Sequence, residues 1–186
     1  MALKRDGKHA AVLLTVAAGI AAPSAAAGGD GHRADESFEG TCQFSGTLRQ
    51  EPPLTNAPQA GRASAIATGA CTGTLTDSKG RVRELDGARA GYFARAAGTS
   101  SCAGGTAAGA GFLRIRGERI DFRFSEVRGP GAGAIRLEGV HGGAAAGVAR
   151  VSDDEDPVRI AEACSGAGLR QVRIQIDLAT APAIAG

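Results

Sequence analysis

The sequence predicts an all-β fold: an antiparallel barrel, or a two-sheet sandwich, of eight to nine strands with one short helix before the last strand. Apolar and polar residues alternate through most of the chain, which is the period of a strand with one buried face. Glycine-rich turns separate these runs at short intervals, and short links favour antiparallel pairing. The alternation persists into the last strand without a fully apolar run, so a barrel is favoured over a sandwich.

The first predicted strand begins at Ser37, because Phe38 and the apolar residues in phase with it share one face. Three prolines between residues 50 and 60 predict a long exposed loop, since proline cannot donate a ladder hydrogen bond. Further strands are predicted over residues 64–76, 81–85 and 91–97, followed by a stretch of small residues over 98–111.

A hairpin over residues 112–124 is specified in most detail. Gly117-Glu118 fits a two-residue turn with glycine first. This turn places Ile115 opposite Ile120 on the core face. The same register pairs Leu113 with Phe122 inside and Arg114 with Asp121 outside.

The second half of the chain adds strands and the helix. Strands are predicted over residues 134–140, 144–151 and 172–178. A helix over residues 158–164 begins either after a capping box at Ser152 or after the cap and first-turn pair Asp156-Pro157. Residues 181–186 are predicted to be a tail.

The N-terminus carries an export signal in the sequence. A basic start is followed by an apolar run over residues 10–22 and by the small-residue site Ala25-Ala26-Ala27, the order found in signal peptides. The run is too short to span a bilayer. We therefore predict a signal peptide over residues 1–27, a flexible lead-in over 28–36, a single domain over 37–180, and a secreted product without a membrane span.

The charge balance narrows the class of partner. After cleavage the chain carries 18 basic and 18 acidic residues, so it is formally neutral. Nucleic-acid binding requires many phosphate contacts and a basic excess, so this class is disfavoured. Large apolar residues are scarce and Trp is absent, which leaves disulfides to supply part of the stability.

The four cysteines allow three disulfide pairings. If the first two strands form a hairpin, Cys42 lies nearly opposite Cys71, which leaves Cys102 with Cys164. A zinc site is disfavoured by export and by the absence of a C-x-x-C spacing.

Two charged clusters are candidate binding sites, and each has a simpler structural explanation. Arg114, Arg116, Arg119 and Arg123 could hold an anionic cell-envelope polymer, although interleaved acids suit a solvated strand face better. The acidic residues Asp153, Asp154 and Asp156 could hold calcium, although acids at a helix start are expected from the helix dipole alone.

The catalytic signals are weak. A hydrolase would have to use His141 in a glycine-rich turn, and no G-x-S-x-G motif occurs. We therefore assign no catalytic residue and no cofactor from the sequence.

Three segments, residues 42–48, 52–55 and 71–77, resemble small exported proteins of actinobacterial type that have no assigned function. The resemblance implies secretion and a β-rich domain. A barrel with a late helix also suggests a lipocalin, but the G-x-W motif of that family cannot occur without Trp.

These observations predict a non-enzymatic secreted domain that binds a small apolar ligand inside the barrel or an extracellular polymer or partner outside it. A secreted hydrolase using His141 with nearby carboxylates is the second hypothesis. A structural or inhibitory module acting through the proline loop over residues 50–60 is the third.

Overall fold

Eight strands close into one antiparallel barrel in the computed structural model, which describes residues 35–186. Each strand pairs with the next one along the chain, and β8 pairs with β1 to complete the ring. The elements are β1 Ser37–Leu54, β2 Gln59–Thr76, β3 Val82–Ser101, β4 Gly104–Ile115, β5 Glu118–Arg128, β6 Ala132–Gly139, β7 Ala144–Val151, α1 Pro157–Ser165, β8 Leu169–Thr180 and β9 Ile184–Ala185. The predicted signal peptide over residues 1–27 lies outside the described residues.

The predicted all-β class and the barrel are confirmed, and the helix precedes β8 as the last long strand. Closure pairs Thr41 of β1 with Ala179 of β8 and Leu48 with Val172. A closed ring leaves none of its eight strands with a free hydrogen-bonding edge, and it buries one face of every strand.

The predicted third and fourth strands are one strand, β3, so that prediction was wrong. The alternation is interrupted at Asp86-Gly87, where the register between β2 and β3 shifts. Gly87 adopts a φ of 59°, and its amide donates to Oγ1 of Thr72 at 3.1 Å. A β-bulge therefore absorbs the irregularity without ending the strand.

The long proline loop is also absent, because β1 runs to Leu54 and β2 begins at Gln59. Pro52 and Pro53 are tolerated because the ladder to β2 ends at Glu51 and the ladder to β8 is interrupted between Arg49 and Leu54. The connection that remains is short and is tied down by the Cys102 amide, which donates to the Thr55 carbonyl at 2.8 Å.

The small-residue stretch over residues 98–111 is mostly strand, with a turn at Cys102-Ala103. Its glycines permit close strand approach. A Cβ on Gly98 would lie 2.0 Å from the Thr106 carbonyl oxygen, and one on Gly109 would lie 1.9 Å from that of Arg95. Small residues here belong to the ladder itself.

The predicted register of the β4–β5 hairpin was wrong by two residues. Arg116 and Gly117, with φ of 54° and 94°, form the turn, so that Ile115 faces Glu118 and Leu113 faces Ile120. Positive φ at both central positions is the requirement of a type I′ turn. The faces are unchanged, because the side-chain period of a strand is two.

The helix begins at the second of the two predicted caps. Oδ1 of Asp156 accepts a hydrogen bond from the Val158 amide at 2.9 Å, and Pro157 occupies the first turn. Glu155 instead contacts β8, since its Oε1 accepts a hydrogen bond from the Arg173 amide at 2.8 Å. Residues 181–186, predicted to be a tail, include β9, whose Ile184 is fully buried against the barrel.

Large side chains fill the half of the barrel that lies away from α1. The fully buried residues of this half are Phe38, Leu75, Leu113, Ile115, Ile120, Phe122, Leu137, Ile176 and Ile184. Alanines replace them toward the α1 end, where Ala63, Ala65, Ala94 and Ala96 face inward. The barrel is consequently packed at one end and incompletely filled at the other.

The β2–β3 turn is organised by the buried carboxylate of Asp77, which is 1% exposed. It accepts hydrogen bonds from the amides of Lys79 and Arg81 at 2.9 and 3.0 Å, and from the Arg81 and Arg83 guanidiniums at 2.8 and 3.0 Å. Burial alone would raise the pKa of Asp77, but the hydrogen bonds and charge of Arg81, together with the Lys79 amide, hold the pKa well below its ordinary value.

The Asp77→Asn variant is therefore expected to be less stable than the parent protein at pH 7. Because the folded-state pKa is lowered, the ionised carboxylate stabilises the fold above its unfolded pKa of about 3.9, and this contribution is lost as the pH falls further. Urea unfolding at pH 7, 5 and 3 should show a difference that narrows only at pH 3. Asp86→Asn, at an exposed site, is the control; equal destabilisation by Asp77→Asn at all three pH values would contradict the assignment.

Candidate functional site

A cavity of about 310 Å³ opens at the α1 end of the barrel. Its rim includes Gly129, Gly131 and Pro157, which are exposed, so the entrance lies between the β5–β6 turn and α1. Its walls are largely apolar and include Leu48, Leu54, Val151, Ile160, Leu169, Val172 and Ile174. The volume falls in the range of sites that bind small molecules.

The helix is fixed beside this entrance by a disulfide. Cys164 of α1 is bonded to Cys102 in the β3–β4 turn, with 6.0 Å between their Cα atoms. The Cys164 carbonyl also accepts from the Asn56 amide at 3.2 Å. Cys164 is the one buried residue of α1, and Ile160 packs against the core from the same helix. The disulfide thus holds a short helix that has little buried surface of its own.

The second disulfide joins Cys42 to Cys71, which lie directly opposite each other on β1 and β2 with Cα atoms 4.1 Å apart. Both disulfides are those expected if the first two strands form a hairpin, Cys42 with Cys71 and Cys102 with Cys164. This one strengthens the wall of the barrel and takes no part in the cavity.

Beneath the open cavity lies a smaller space of about 40 Å³ inside the barrel. Tyr92, Phe124 and Ala94 contribute to its walls. Five residues line both spaces: Leu48, Glu126, Arg128, Ala149 and Ile174. These residues form the boundary between the open cavity and the barrel interior, which we call the cavity floor.

The cavity floor contains an ion pair. Nη2 of Arg128 lies 2.8 Å from Oε2 of Glu126, and their side chains are only 12% and 9% exposed. A Cβ on Gly133 would lie 2.9 Å from Oε1 of Glu126, so glycine makes room for this carboxylate. Burial of a paired charge inside a barrel is costly unless further hydrogen bonds satisfy it.

The guanidinium at the floor keeps a free donor. Within residues 35–186, Nε of Arg128 is buried without a hydrogen-bond partner, as is Nε2 of Gln50, which lines neither space. Burial raises the pKa of Tyr92, and the nearby charge of Glu126 raises it further, so the phenol is neutral under physiological conditions. The floor therefore combines a carboxylate and a guanidinium beneath apolar walls, and the neutral phenol of Tyr92 lies in the smaller space below them.

The sequence reasoning missed Glu126 and Arg128, although a signal was present. Both are in phase with Phe122 and Phe124, whose side chains face the core, so period-two counting along β5 directs all four inward. An acidic and a basic residue two positions apart also fit a solvated strand face, so the sequence did not show whether Glu126 and Arg128 point inward or outward.

The structure spreads the four candidate arginines over the β4–β5 hairpin and its outer face. Arg119 forms an ion pair with Asp121 at 2.7 Å and lies 4.0 Å from the centroid of Phe112. Arg114 faces Arg119 across the strands. Arg116 is in the turn, and Arg123 is exposed on the outer face. Phe93 stacks on Phe112 beside them, with ring centroids 5.3 Å apart.

The acidic residues before α1 have other partners. Asp156 caps the helix, and Oδ2 of Asp154 pairs with Arg173 at 2.5 Å. Asp153 is exposed. Over residues 35–186 no group of three or more His, Cys, Asp or Glu residues is arranged to hold a metal ion.

His141 lies in the β6–β7 turn, at the end of the barrel away from the cavity. Its Nδ1 is 3.5 Å from Oδ1 of Asp35, and both side chains are about half exposed. Its amide donates to the Ala185 carbonyl at 3.0 Å. The structure therefore does not bring this histidine to the cavity floor.

Comparison with protein-family models, curated proteins and solved structures found no match to the chain. No helix in the described part of the chain is long and apolar enough to cross a membrane, since α1 has nine residues.

Proposed function

We propose that this is a secreted, non-catalytic binding protein that holds a small amphipathic molecule in the cavity at the α1 end. The observation that carries the proposal is a preformed cavity of about 310 Å³ with apolar walls and the Glu126–Arg128 pair at its floor. Sites for small molecules combine these two properties, because apolar surface supplies affinity while a few polar groups fix orientation.

Two observations support a binding role over catalysis. Ser101, the one hydroxyl side chain among the residues of the cavity wall, already donates to the Gly104 carbonyl at 3.2 Å and accepts from the Ala103 amide. A nucleophile needs a base within hydrogen-bond reach, and His141 lies at the other end of the barrel.

The secreted part of the proposal is supported by the disulfides. Two disulfides in a small β-domain are consistent with export to an oxidising compartment.

Enlarging Ala149 tests the cavity directly, because this residue lines both spaces and packs against the core. Ala149→Leu is expected to weaken binding of the neutral dye N-phenyl-1-naphthylamine about tenfold, since leucine occupies part of the space. A tenfold loss corresponds to about 1.4 kcal/mol. Fluorescence titration measures it, alongside a thermal melt to verify folding.

Ala146→Leu is the matched control, because Ala146 lies on the same strand but is exposed. Its dye affinity should equal that of the parent protein. Equal affinity in the parent and Ala149→Leu, or no dye binding by the parent, would count against a ligand site in this cavity.

The stacked Phe93–Phe112 pair favours a second candidate function, binding of an anionic extracellular polymer to the outer face of β3–β5. Arg95 lies 5.2 Å from the Phe93 centroid and Arg114 lies 5.9 Å from that of Phe112, which gives a basic aromatic surface. Polygalacturonate retardation in affinity gels, lost in an Arg95→Ser, Arg114→Ser variant, would support it. Unchanged migration of the parent protein would oppose it.

A further inference from the structure

We infer that the molecule bound in this cavity has an uncharged polar end that both donates and accepts hydrogen bonds, such as an alcohol or a primary amide. In this arrangement the polar end contacts Glu126 and Arg128, and the apolar part lies along the α1 and β8 walls. The inference rests on the proposed function and specifies the chemical class of its ligand.

The first argument is charge balance in the wall. Three charged residues line the cavity, namely Glu126, Arg128 and Arg150. Glu126 and Arg128 neutralise each other, and Arg150 pairs with Asp177 on β8. An anionic ligand would therefore meet Glu126 without a free cation to compensate it, and a cationic ligand would meet Arg128 in the same way. A further charge beneath apolar walls is costly when it has no partner of its own.

The second argument is the hydrogen-bonding capacity that the pair leaves open. Oε2 of Glu126 accepts from Nη2 of Arg128. No other described residue donates to this carboxylate, and its Oε1 adjoins the gap left by Gly133. A guanidinium has five N–H donors, and one of those on Arg128 is used within the described residues. A hydroxyl or primary amide can donate to the carboxylate and accept from the guanidinium at once.

The third argument is the direction of the apolar part. Ile160 of α1 and Leu169 and Val172 of β8 line the cavity but not the smaller space beneath it. An alkyl chain anchored by its polar end at the floor would extend along these side chains and gain affinity from their burial. The alanines below the floor leave only about 40 Å³, which is too small for the chain to continue inward.

Isothermal titration calorimetry at pH 7 with four octyl compounds tests the inference: 1-octanol, octanamide, octanoate and octylammonium. The neutral pair is expected to bind at least about tenfold more tightly than either ion, which is about one charge-assisted hydrogen bond in free energy. Binding of all four within threefold, or tightest binding of an ion, would overturn the inference while leaving the cavity function standing.

Removing one partner of the Glu126–Arg128 ion pair should shift the ligand preference from neutral toward charged head groups. Glu126→Gln leaves Arg128 unpaired, so octanoate should gain about tenfold relative to 1-octanol. Arg128→Met leaves Glu126 unpaired, so octylammonium should gain instead. Glu138→Gln, at an exposed site, should change neither ratio. Because the four-compound comparison uses the parent protein, the test does not depend on either variant folding.

Failure of the inference and failure of the proposed function give different results. If N-phenyl-1-naphthylamine binds but the octyl compounds show no preference for neutral ends, only the head-group inference fails. If neither the dye nor any octyl compound binds, the cavity is not a ligand site and both proposals fail.

Discussion

Replacing Cys102 and Cys164 together with alanine is expected to lower the free energy of unfolding by about 4 kcal/mol, because the bond closes a separation of 62 residues. A domain of this size is stabilised by roughly 5–15 kcal/mol, so the loss is a large part of the total. The helix should also detach from the barrel entrance, since Cys164 is its one buried residue. Urea unfolding followed by circular dichroism measures the first effect, and amide hydrogen exchange over residues 157–165 measures the second.

The other disulfide provides the matched control for this variant. Cys42→Ala, Cys71→Ala opens a separation of 29 residues and should cost about 3.5 kcal/mol. Its α1 amides should keep the protection of the parent protein, because this bond joins two neighbouring strands far from the helix. Equal loss of α1 protection in both variants would show that the Cys102–Cys164 bond does not specifically fix the helix.

Phe122→Ala is expected to destabilise the barrel by about 3–5 kcal/mol, the usual cost of removing a buried aromatic ring. Phe122 is 1% exposed, and its ring centroid lies 5.7 Å from that of Tyr92 and 6.2 Å from that of Phe124. Gly111 faces it across the strands, where a Cβ would lie 2.8 Å from the ring, so the site is already closely packed. Chemical denaturation gives the change in unfolding free energy.

Val127→Ala on the same strand is the control, because Val127 is 63% exposed. It should change stability by less than about 0.5 kcal/mol. A small effect of Phe122→Ala, similar to that of the control, would mean that the ring contributes little to the core. Phe122→Ala should also weaken the packing of Tyr92 below the cavity floor, and titration with the dye would measure the effect on binding.

Sequence alone predicted the barrel because β8 alternates without interruption: Val172, Ile174, Ile176 and Leu178 are all buried. It failed on the extent of β3 and β4, since a strand built from alanine and glycine has no contrast between its faces. It also placed the β4–β5 turn one residue too late, which shifts the pairing register by two residues, because both registers bury the same face. Only the positive φ values at Arg116 and Gly117 distinguish the two.

The cavity was less predictable than the fold for a different reason. Its residues come from both ends of the described chain, from Leu48 on β1 to Ile174 on β8, and no local pattern joins them. The sequence predicted the short helix and favoured the Cys102–Cys164 pairing, but it did not predict that the two meet at one end of the barrel. Glu126 and Arg128 could be assigned to the barrel interior only by assuming that every second side chain of β5 still points inward beyond Phe124.

The closing pair of strands also limits how the chain can reach its native state. β1 cannot find its second partner until β8 is available, and contacts between such distant segments form slowly because of the entropy of closing the intervening chain. A product cut short before Leu169 would retain β1 and β7 as open edges, which recruit other chains. We therefore expect chains that end before β8 to aggregate. Synthesis of β8 thus determines whether the chain becomes a discrete closed barrel or joins other incomplete chains through open strand edges.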